Sequence, residues 1–532
     1  MSMKLRKVMD FFCNFAPLKP LINQLKKQII VTQEETKKFK IWQWRTILGT
    51  MIGYAVFYFV RKNFSFAIPG LTAEYGISKT TFGLLMTIVG LIYGLSKFVN
   101  GVLADRLNGR WHMTTGLAVC SVVNLVFGAG AIISALIVGE TYGPSFINTL
   151  VIIFGVLMVL NNLFQGCGFP PCNRLITHWV PPHELATKMS IWNASHSIGA
   201  FIIAVLCGYI MGNMGTDMTG NEEVRARIVE NTAKITENMD PAAAQAYVDN
   251  ALQHVGAWQW AFWIPAIIGL FGVLFIITVL RDTPKSVGLP ELAGTKTELD
   301  GKEETAEDFK AFVRKKVFMN PIIWILAISD FFVYIVRFAI LDWGPTFLQE
   351  SRGLSSEMAG WTVAIFEVMG VCGMLLAGVI SDKLFKGRSQ RTCVFCMAGV
   401  LIFISLFVML PETTNPTLLL AFLAISGFFI YGPQALIGVI ASNQATKKAA
   451  STANGVVGFV SYISVAVSGV GFGFISDHFG WQWVFVTMII IAVLGLLALL
   501  TLWNVKSDGY DHDDEVAAEV KSMEEVEAVS AE

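Results

Sequence analysis

Charged residues are scarce in this chain of 532 residues: Asp, Glu, Lys and Arg make up 15% of it, whereas an ordinary soluble domain has about 25%. Apolar residues reach 54%, and they fall into runs of roughly 20 or more residues, each long enough to cross a hydrocarbon core of about 30 Å. This composition excludes a soluble enzyme, a nucleic-acid-binding protein and a secreted disulfide scaffold. It predicts an all-α membrane protein.

Cysteines are also few, eight in all, and they lie in apolar runs or near the N-terminus. The sequence therefore indicates no disulfide framework. Cys393 and Cys396 have the spacing of a redox or metal pair, but no second pair accompanies them, and we interpret them as thiols buried in a helix. The N-terminus carries charge instead of a short apolar core, so a cleaved signal peptide is not expected.

Several kinds of chemistry have no sequence signature in the chain. There is no Gly-x-x-x-x-Gly-Lys-Ser/Thr loop, so ATP is not expected to be the direct energy source. We predict no metal site and no cofactor, and the sequence offers no nucleophile–base pair, which disfavours an enzyme.

The apolar runs predict twelve membrane spans. They cover residues 43–68, 79–102, 112–136, 147–173, 188–211, 258–280, 318–348, 357–381, 391–411, 416–442, 450–475 and 481–503. Lys and Arg concentrate in the segment 1–42 and in one set of alternate loops, and an excess of these residues marks the cytoplasmic side. Because the number of spans is even, both termini are predicted to be cytoplasmic.

Polar segments divide the chain further. Residues 282–317 are predicted to be a cytoplasmic linker between a six-helix bundle over 43–281 and a second over 318–504, and residues 505–532 an acidic cytoplasmic tail without fixed structure. Residues 213–257 form an external insertion between spans five and six. Helical periodicity over 222–236 and 241–254 predicts two short amphipathic helices there. They are interpreted either as a solvated surface feature without a specific role or as a lid or docking element.

The two halves of the chain repeat one another. The run Tyr-Phe-Val-Arg at 58–61 is echoed by Tyr-Ile-Val-Arg at 334–337, and a proline follows eight residues after each Arg. The run Gly-Val-Leu-Ala-Asp-Arg at 101–106 is echoed by Gly-Val-Ile-Ser-Asp-Lys at 378–383. An even number of helices separates the copies, so both halves cross the membrane in the same direction. Parallel repeats place a substrate site near the midplane between the halves.

The second repeated run, Gly-x-Leu-x-Asp-Arg-x-x-Gly-Arg in its first copy, resembles the signature of the major facilitator superfamily. The resemblance covers about residues 40–505 and implies two pseudo-symmetric six-helix bundles. A glycine lets helices approach closely, and the Asp and Arg can pair across the ends of neighbouring helices. The resemblance implies a gating role for Gly101, Asp105, Arg106, Arg110, Asp382 and Arg388.

Six ionisable residues are predicted to lie deep within spans, where such residues are costly and usually functional. They are Arg61, Lys97, His196, Asp330, Arg337 and Glu367. Tyr54, Tyr58 and Arg61 share one helix face at spacing i, i+4, i+7. Asp330, Tyr334 and Arg337 repeat that spacing in the second half, and Tyr93 and Lys97 stack at i, i+4.

This set of residues is suited to an oxyanion. Two Arg at equivalent positions of facing halves can hold one tetrahedral oxyanion from two sides through their planar forks, and a nearby phenol can donate a further hydrogen bond. The set is net cationic, so an anion is the expected ligand. The alternative is an internal ion-pair network, in which Asp330 and Glu367 neutralise the arginines.

Further runs resemble the organophosphate:phosphate antiporter family, which contains bacterial glycerol-3-phosphate and hexose-6-phosphate antiporters and a phosphosugar sensor. The runs include Gln-Gly-Cys-Gly-Phe-Pro-Pro-Cys at 165–172, Ile-Trp-Asn-Ala-Ser-His at 191–196 and Tyr-Gly-Leu-Ser-Lys-Phe at 93–98. The resemblance implies a bacterial inner membrane, phosphoryl binding by Arg61 and Arg337, and support from Lys97 and His196. It also implies a path lined by Tyr54, Tyr58, Tyr93, Tyr334, Tyr431 and Tyr462.

The chain departs from that family in places. Asp330 faces the site where a neutral residue is expected, and span eleven lacks the Lys of the hexose-phosphate transporters. The leading hypothesis is exchange of a small organophosphate for inorganic phosphate. The alternatives are a non-transporting phosphosugar sensor that signals to a membrane histidine kinase, and a proton-coupled anion symporter that uses Asp330 or Glu367.

Overall fold

The structure, a computed structural model, describes residues 19–237, 241–290, 306–344, 347–348, 356–411, 414–506 and 509. The described residues do not include 1–18 of the predicted N-terminal segment, 291–305 of the linker, or 507–508 and 510–532 of the acidic tail. The helices before the linker are α1 (Lys19–Tyr75), α2 (Lys79–Arg106), α3 (Gly109–Gly128), α4 (Gly130–Val138), α5 (Pro144–Gln165), α6 (Phe169–Trp179), α7 (Pro182–Asn213), α8 (Glu222–Thr236), α9 (Pro241–Gln253) and α10 (Ala257–Val279). Those after it are α11 (Ala306–Val313), α12 (Pro321–Phe338), α13 (Ser356–Lys383), α14 (Ser389–Met409), α15 (Pro416–Gln444), α16 (Thr446–Phe479) and α17 (Trp481–Leu500).

Each of the twelve predicted spans corresponds to one helix or to two consecutive helices. In the described part of the chain, ten helical segments are long and apolar enough to cross a membrane. The other two predicted spans fall in α1 and α16. Arg61 and Lys62 reduce the apolar character of α1.

Two predicted spans are interrupted helices. The third divides into α3 and α4 at Ala129, whose backbone leaves the helical region (φ −87°, ψ 0°). The fourth divides into α5 and α6 around Gly166 and Gly168, and prolines stand at the start of α6. Proline is favoured there because the first turn of a helix has no internal partner for its N–H groups.

The predicted helices of the external insertion are present, with the second ending one residue earlier than predicted. Ile228, Val248 and Leu252 form a small apolar core between α8 and α9. The insertion is fastened to the end of α1: the Asn231 side chain donates to the Ala73 carbonyl at 3.0 Å, and Glu74 accepts from the Gly256 N–H at 2.7 Å. We call this end of the protein the insertion side and the opposite end, where α11 lies, the linker side.

The two halves approach closely on the linker side at the repeated glycines. A Cβ at Gly101 of α2 would lie 2.5 Å from the Ser451 carbonyl oxygen of α16. A Cβ at Gly378 of α13 would lie 2.9 Å from the Ala186 carbonyl oxygen of α7. The repeat in the sequence therefore corresponds to two equivalent helix crossings, each between one half and the other.

Candidate binding site between the two halves

Arg61 lies on α1 among tyrosines. Its guanidinium carbon is 3.9 Å from the ring centroid of Tyr93 on α2 and 5.7 Å from that of Tyr58. The rings of Tyr54 and Tyr58 are 5.5 Å apart, edge to face. A guanidinium over an aromatic face is stabilised by the ring quadrupole and keeps its N–H groups at the ring edge, where they can donate to an anion.

Buried amides hold α1 in place around Arg61. The side-chain amides of Asn124 and Asn161 both donate to the Val60 carbonyl at 3.0 Å, and Gln165 donates to the Phe57 carbonyl at 3.3 Å. These bonds come from α3 and α5 and fix the rotation of α1 about its axis. Because of these bonds, the face of α1 that carries Arg61 is directed towards the second half.

Arg337, at the repeat-equivalent position on α12, is held from one side. Its Nη2 donates to the Tyr431 hydroxyl at 2.8 Å and approaches Glu367 Oε1 at 3.4 Å. The side chain of Arg337 is 13% exposed and that of Glu367 is 35% exposed. Among the described residues, Arg337 Nε is buried without a hydrogen-bond partner, so part of the fork has unused donor capacity.

His196 and Tyr462 connect the two arginine environments. His196, on α7, lies with its ring 6.1 Å from that of Tyr58 and interacts electrostatically with both Arg61 and Arg337. Tyr462, on α16, packs edge to face on Tyr93 across the two halves, with ring centroids 5.1 Å apart. The structure therefore brings the predicted cationic residues of both halves into one region.

Lys97 and Asp330 lie on the linker side of the arginines. The Lys97 ammonium is 4.7 Å from the Phe169 ring and 5.7 Å from the Tyr462 ring. Asp330 Oδ2 accepts from the Ser461 hydroxyl at 2.5 Å. Tyr334, one helical turn from Asp330, has its ring 6.1 Å from that of Tyr462.

Exposure differs among the predicted site residues: Tyr93, Asp330 and Tyr431 are buried, at 3%, 6% and 1% exposed. Arg61, Lys97, His196 and Arg337 are half-buried, as expected for a solvent-reached cavity between two halves. Tyr54 is 7% exposed, and its ring packs against that of Trp192 at 4.9 Å. Tyr54 is therefore placed behind the lining residues, where it supports Tyr58.

The predicted gating residues lie at the linker side, remote from the arginines. Asp105 Oδ1 accepts from the Ser451 N–H at 3.0 Å, and its Oδ2 accepts from the N–H and hydroxyl of Thr452 at 2.6 and 2.7 Å. In the other repeat, Asp382 accepts from the Thr187 N–H at 2.6 Å. Each aspartate thus binds backbone donors in the first turns of a helix of the opposite half.

In the first copy of the motif, Asp105 therefore contacts backbone N–H groups where the sequence suggested a pairing with Arg. The N–H groups in the first turn of a helix have no internal acceptor and attract carboxylates. Ser451 and Thr452 lie in the first turn after the non-helical backbone of Ala449, and Asp105 lies at their N–H groups. Arg106 instead stacks on Phe309 of α11 at 4.5 Å, and Arg110 on Trp111 at 4.7 Å. Arg388 stands at the residue before α14.

Other residues of the site were not singled out from the sequence. Phe169, Ser461 and the amides of Asn124, Asn161 and Gln165 have no charge and no repeat partner to mark them. The three amide residues could have been identified from the sequence, because polar amides are unusual within apolar runs. Cys393 is buried and Cys396 half-buried in α14, where helix burial was predicted.

These features define a multi-pass membrane protein built from two parallel repeats with a cluster of cationic residues between them. The chain belongs to the Major Facilitator Superfamily, whose family profile matches residues 50–469, with a second match over 390–524. The resemblance to this superfamily and the two-bundle fold expected from it are thereby confirmed.

Individual relatives give the same result. The chain is 34% identical to the glycerol-3-phosphate transporter of Bacillus subtilis, over 88% of this chain and 93% of the relative. It is 33% identical to a probable hexose phosphate transport protein of Chlamydia trachomatis, over 90% and 94%, and 31% identical to the membrane sensor protein UhpC of Escherichia coli, over 88% and 94%. The solved structure of FucP, a superfamily transporter in the outward conformation, has the same fold with a TM-score of 0.62 at 13% identity, over 86% of this chain and 98% of FucP.

Proposed function

We propose that this protein is a secondary transporter that exchanges a small organophosphate for inorganic phosphate by alternating access. The observation that carries the proposal is the pair Arg61 and Arg337. They stand at equivalent positions of the two repeats, both are half-buried, and both interact with His196. A tetrahedral dianion between two planar forks would receive charge-assisted hydrogen bonds from both halves.

Each arginine has a tyrosine of its own half beside it, whose hydroxyl group could also donate to the ligand. Tyr93 lies under Arg61, and Tyr431 accepts a hydrogen bond from Arg337. A phosphate that bridges the two arginines would therefore tie the halves together. Binding then favours a closed arrangement of the site, which is the step that alternating access requires.

The names of the relatives support a phosphorylated substrate. Glycerol-3-phosphate and hexose phosphate are substrates named for proteins that match nearly the whole of this chain. We accordingly propose glycerol-3-phosphate or a hexose phosphate as the organic substrate. We also propose the domain division 43–281 and 318–504, a bacterial inner membrane, and cytoplasmic termini.

Uptake into proteoliposomes tests this proposal. Vesicles that contain the purified protein and are loaded with unlabelled phosphate should take up labelled phosphate, and external glycerol-3-phosphate or glucose-6-phosphate should compete. Matched vesicles with Arg337→Lys protein provide the control. Uptake that neither organophosphate inhibits would overturn the proposal.

A sensor function is the second candidate, favoured by the 31% identity to the membrane sensor protein UhpC. A sensor needs the same phosphate site but no rapid exchange, and its partner would be a membrane histidine kinase. Binding of phosphate compounds without exchange in proteoliposomes would favour the sensor. A proton-coupled symporter, with Asp330 or Glu367 as proton carrier, instead predicts phosphate uptake driven by an imposed proton gradient.

A further inference from the structure

The carboxylate of Asp330 is an unusual feature beside the cavity, since this acidic residue is buried and only 6% exposed. It lies seven residues before Arg337 on the same face of α12, which places it about 10 Å closer to the linker side. Its Oδ2 accepts from the Ser461 hydroxyl at 2.5 Å. In the described part of the chain its Oδ1 is buried without a hydrogen-bond partner, so this oxygen keeps an unused acceptor site.

Lys97 reaches the same place from the other half. Gly458 and Ser461 are nearly one turn apart on α16 and share a face. A Cβ at Gly458 would lie 2.7 Å from Lys97 Nζ, so the ammonium packs where α16 has no side chain. Lys97 and Asp330 therefore lie against one surface of α16 from opposite halves. Among the described residues they make no direct ion pair, and the carboxylate acts on the ammonium through space. Together they form the floor of the cavity, with one positive and one negative charge.

The two ends of the cavity thus differ in charge. The arginine end carries Arg61 and Arg337, whereas the floor is balanced by the Lys97–Asp330 pair. A phosphate held at the arginines does not extend over the distance to the floor, so the floor meets the organic part of the ligand. There a carboxylate oxygen can accept from a hydroxyl group and an ammonium can donate to one.

An acidic group on the organic part would meet a different environment. Its charge would be brought against Asp330, and like charges brought together without water are strongly unfavourable. Lys97 compensates only in part, because the nearby Asp330 carboxylate offsets its charge. The floor therefore accepts hydroxyl groups and opposes a second acid.

We infer that Asp330 is a specificity-determining residue, which selects organophosphates with hydroxyl groups at the end remote from the phosphate and rejects those with a carboxylate there. This inference rests on the proposed function, since it presumes that the phosphate binds at Arg61 and Arg337. It names the class of substrate as polyol and sugar phosphates.

A matched pair of ligands tests the inference. Glycerol-3-phosphate and 3-phosphoglycerate have the same three-carbon chain and phosphate, and differ in whether the far carbon is an alcohol or a carboxylate. Both are used to displace labelled phosphate from the purified protein at one fixed pH. We expect the wild type to prefer glycerol-3-phosphate by roughly tenfold or more. Asp330→Asn should reduce that ratio by roughly tenfold, because it leaves Lys97 free to attract the carboxylate.

Control variants separate this effect from general damage. Glu367→Gln removes a carboxylate at the phosphate end, which both ligands share, so it should leave their ratio unchanged. Asp330→Glu should keep the wild-type preference. Equal binding of the two ligands by the wild type, or an unchanged ratio in Asp330→Asn, would overturn the inference. If Asp330→Asn does not fold, Asp330→Ser replaces it, with the same expected loss of preference. Failure of the wild type to bind phosphate or either ligand would instead overturn the proposed function, and this inference with it.

Discussion

The carboxylate of Asp105, at the end of α2, accepts a hydrogen bond from the backbone N–H of Thr452, at the start of α16, with an N–O distance of 2.6 Å. The two residues belong to different halves, and Gly101 makes their approach feasible one turn earlier on α2. Opening the linker side requires these bonds to break. We therefore expect the strength of this contact to influence which side of the site is open.

Gly101→Ala should destabilise the closed linker side. The added Cβ would meet a backbone carbonyl of α16 at 2.5 Å, which cannot rotate away, and such overpacking typically costs about 1–3 kcal/mol. The measurement is the apparent melting temperature in detergent, together with the distance between spin labels at positions 107 and 384. We expect a lower melting temperature and a longer distance.

Gly90→Ala is the matched control on the same helix. A Cβ at Gly90 meets nothing within 4 Å, and alanine is the better helix former by about 0.5–1 kcal/mol. The melting temperature should stay the same or rise slightly. Equal effects of the two substitutions would show that close packing at Gly101 does not hold the halves together.

Arg61→Lys and Arg337→Lys should each weaken phosphate binding by at least about tenfold. Lysine keeps the charge but lacks the planar fork that can contact two phosphate oxygens at once. Displacement of labelled phosphate from the purified variants provides the measurement. Arg45→Lys is a suitable control, since Arg45 donates to the Val279 carbonyl on the linker side. Near-normal binding by either site variant would rule out the two-sided clamp.

Much of this site could be predicted from the sequence because charge within an apolar run is conspicuous. The spacing of Tyr58 and Arg61, repeated at Tyr334 and Arg337, placed both arginines on inward faces without any knowledge of the fold. The partners of Asp105 could not be predicted in the same way. They are backbone N–H groups 346 and 347 positions away, and every residue except proline carries such a group.

The contact between Tyr93 and Tyr462 illustrates the same limit. Each tyrosine was named as a lining residue, but their edge-to-face packing depends on the tilt of α2 against α16. That tilt depends on close approaches of α2 and α16 at glycines, among them Gly101 and Gly455. These are tertiary effects, and they cannot be predicted from the periodicity of a single helix.

Docking of the external insertion should weaken as the pH rises. Glu74 lies beyond the predicted first span, and burial raises its pKa from about 4.5 to about 7, although bonds from Gly256 and Trp258 and the charge of Arg227 act in the opposite direction. The folded state therefore binds the proton more tightly than the unfolded state. Its stabilising effect is complete below about pH 4.5 and is lost as the pH rises towards about 7.

Hydrogen exchange in residues 214–257 measures this docking. After correction for intrinsic exchange rates, we expect stronger protection at about pH 5 than at about pH 8. Glu74→Gln keeps the side-chain shape and cannot ionise, so its protection should depend little on pH. A pH dependence that persists in this variant would assign the effect to another group.

Transport should be strict exchange. When the site is empty, Arg61, Arg337 and Lys97 share one cavity, and occluding these like charges away from water is costly. A bound phosphate dianion neutralises most of that charge, so a loaded carrier can change sides and an empty one cannot. Glu367 and Asp330 oppose this effect, since Glu367 lies 3.4 Å from Arg337 and Asp330 faces Lys97.

The measurement is efflux of labelled phosphate from proteoliposomes, which should require phosphate or an organophosphate outside. Efflux into a medium without such an anion would exclude obligate exchange. If Glu367→Gln then restored the requirement, neutralisation of Arg337 in the empty site would be the cause of the leak.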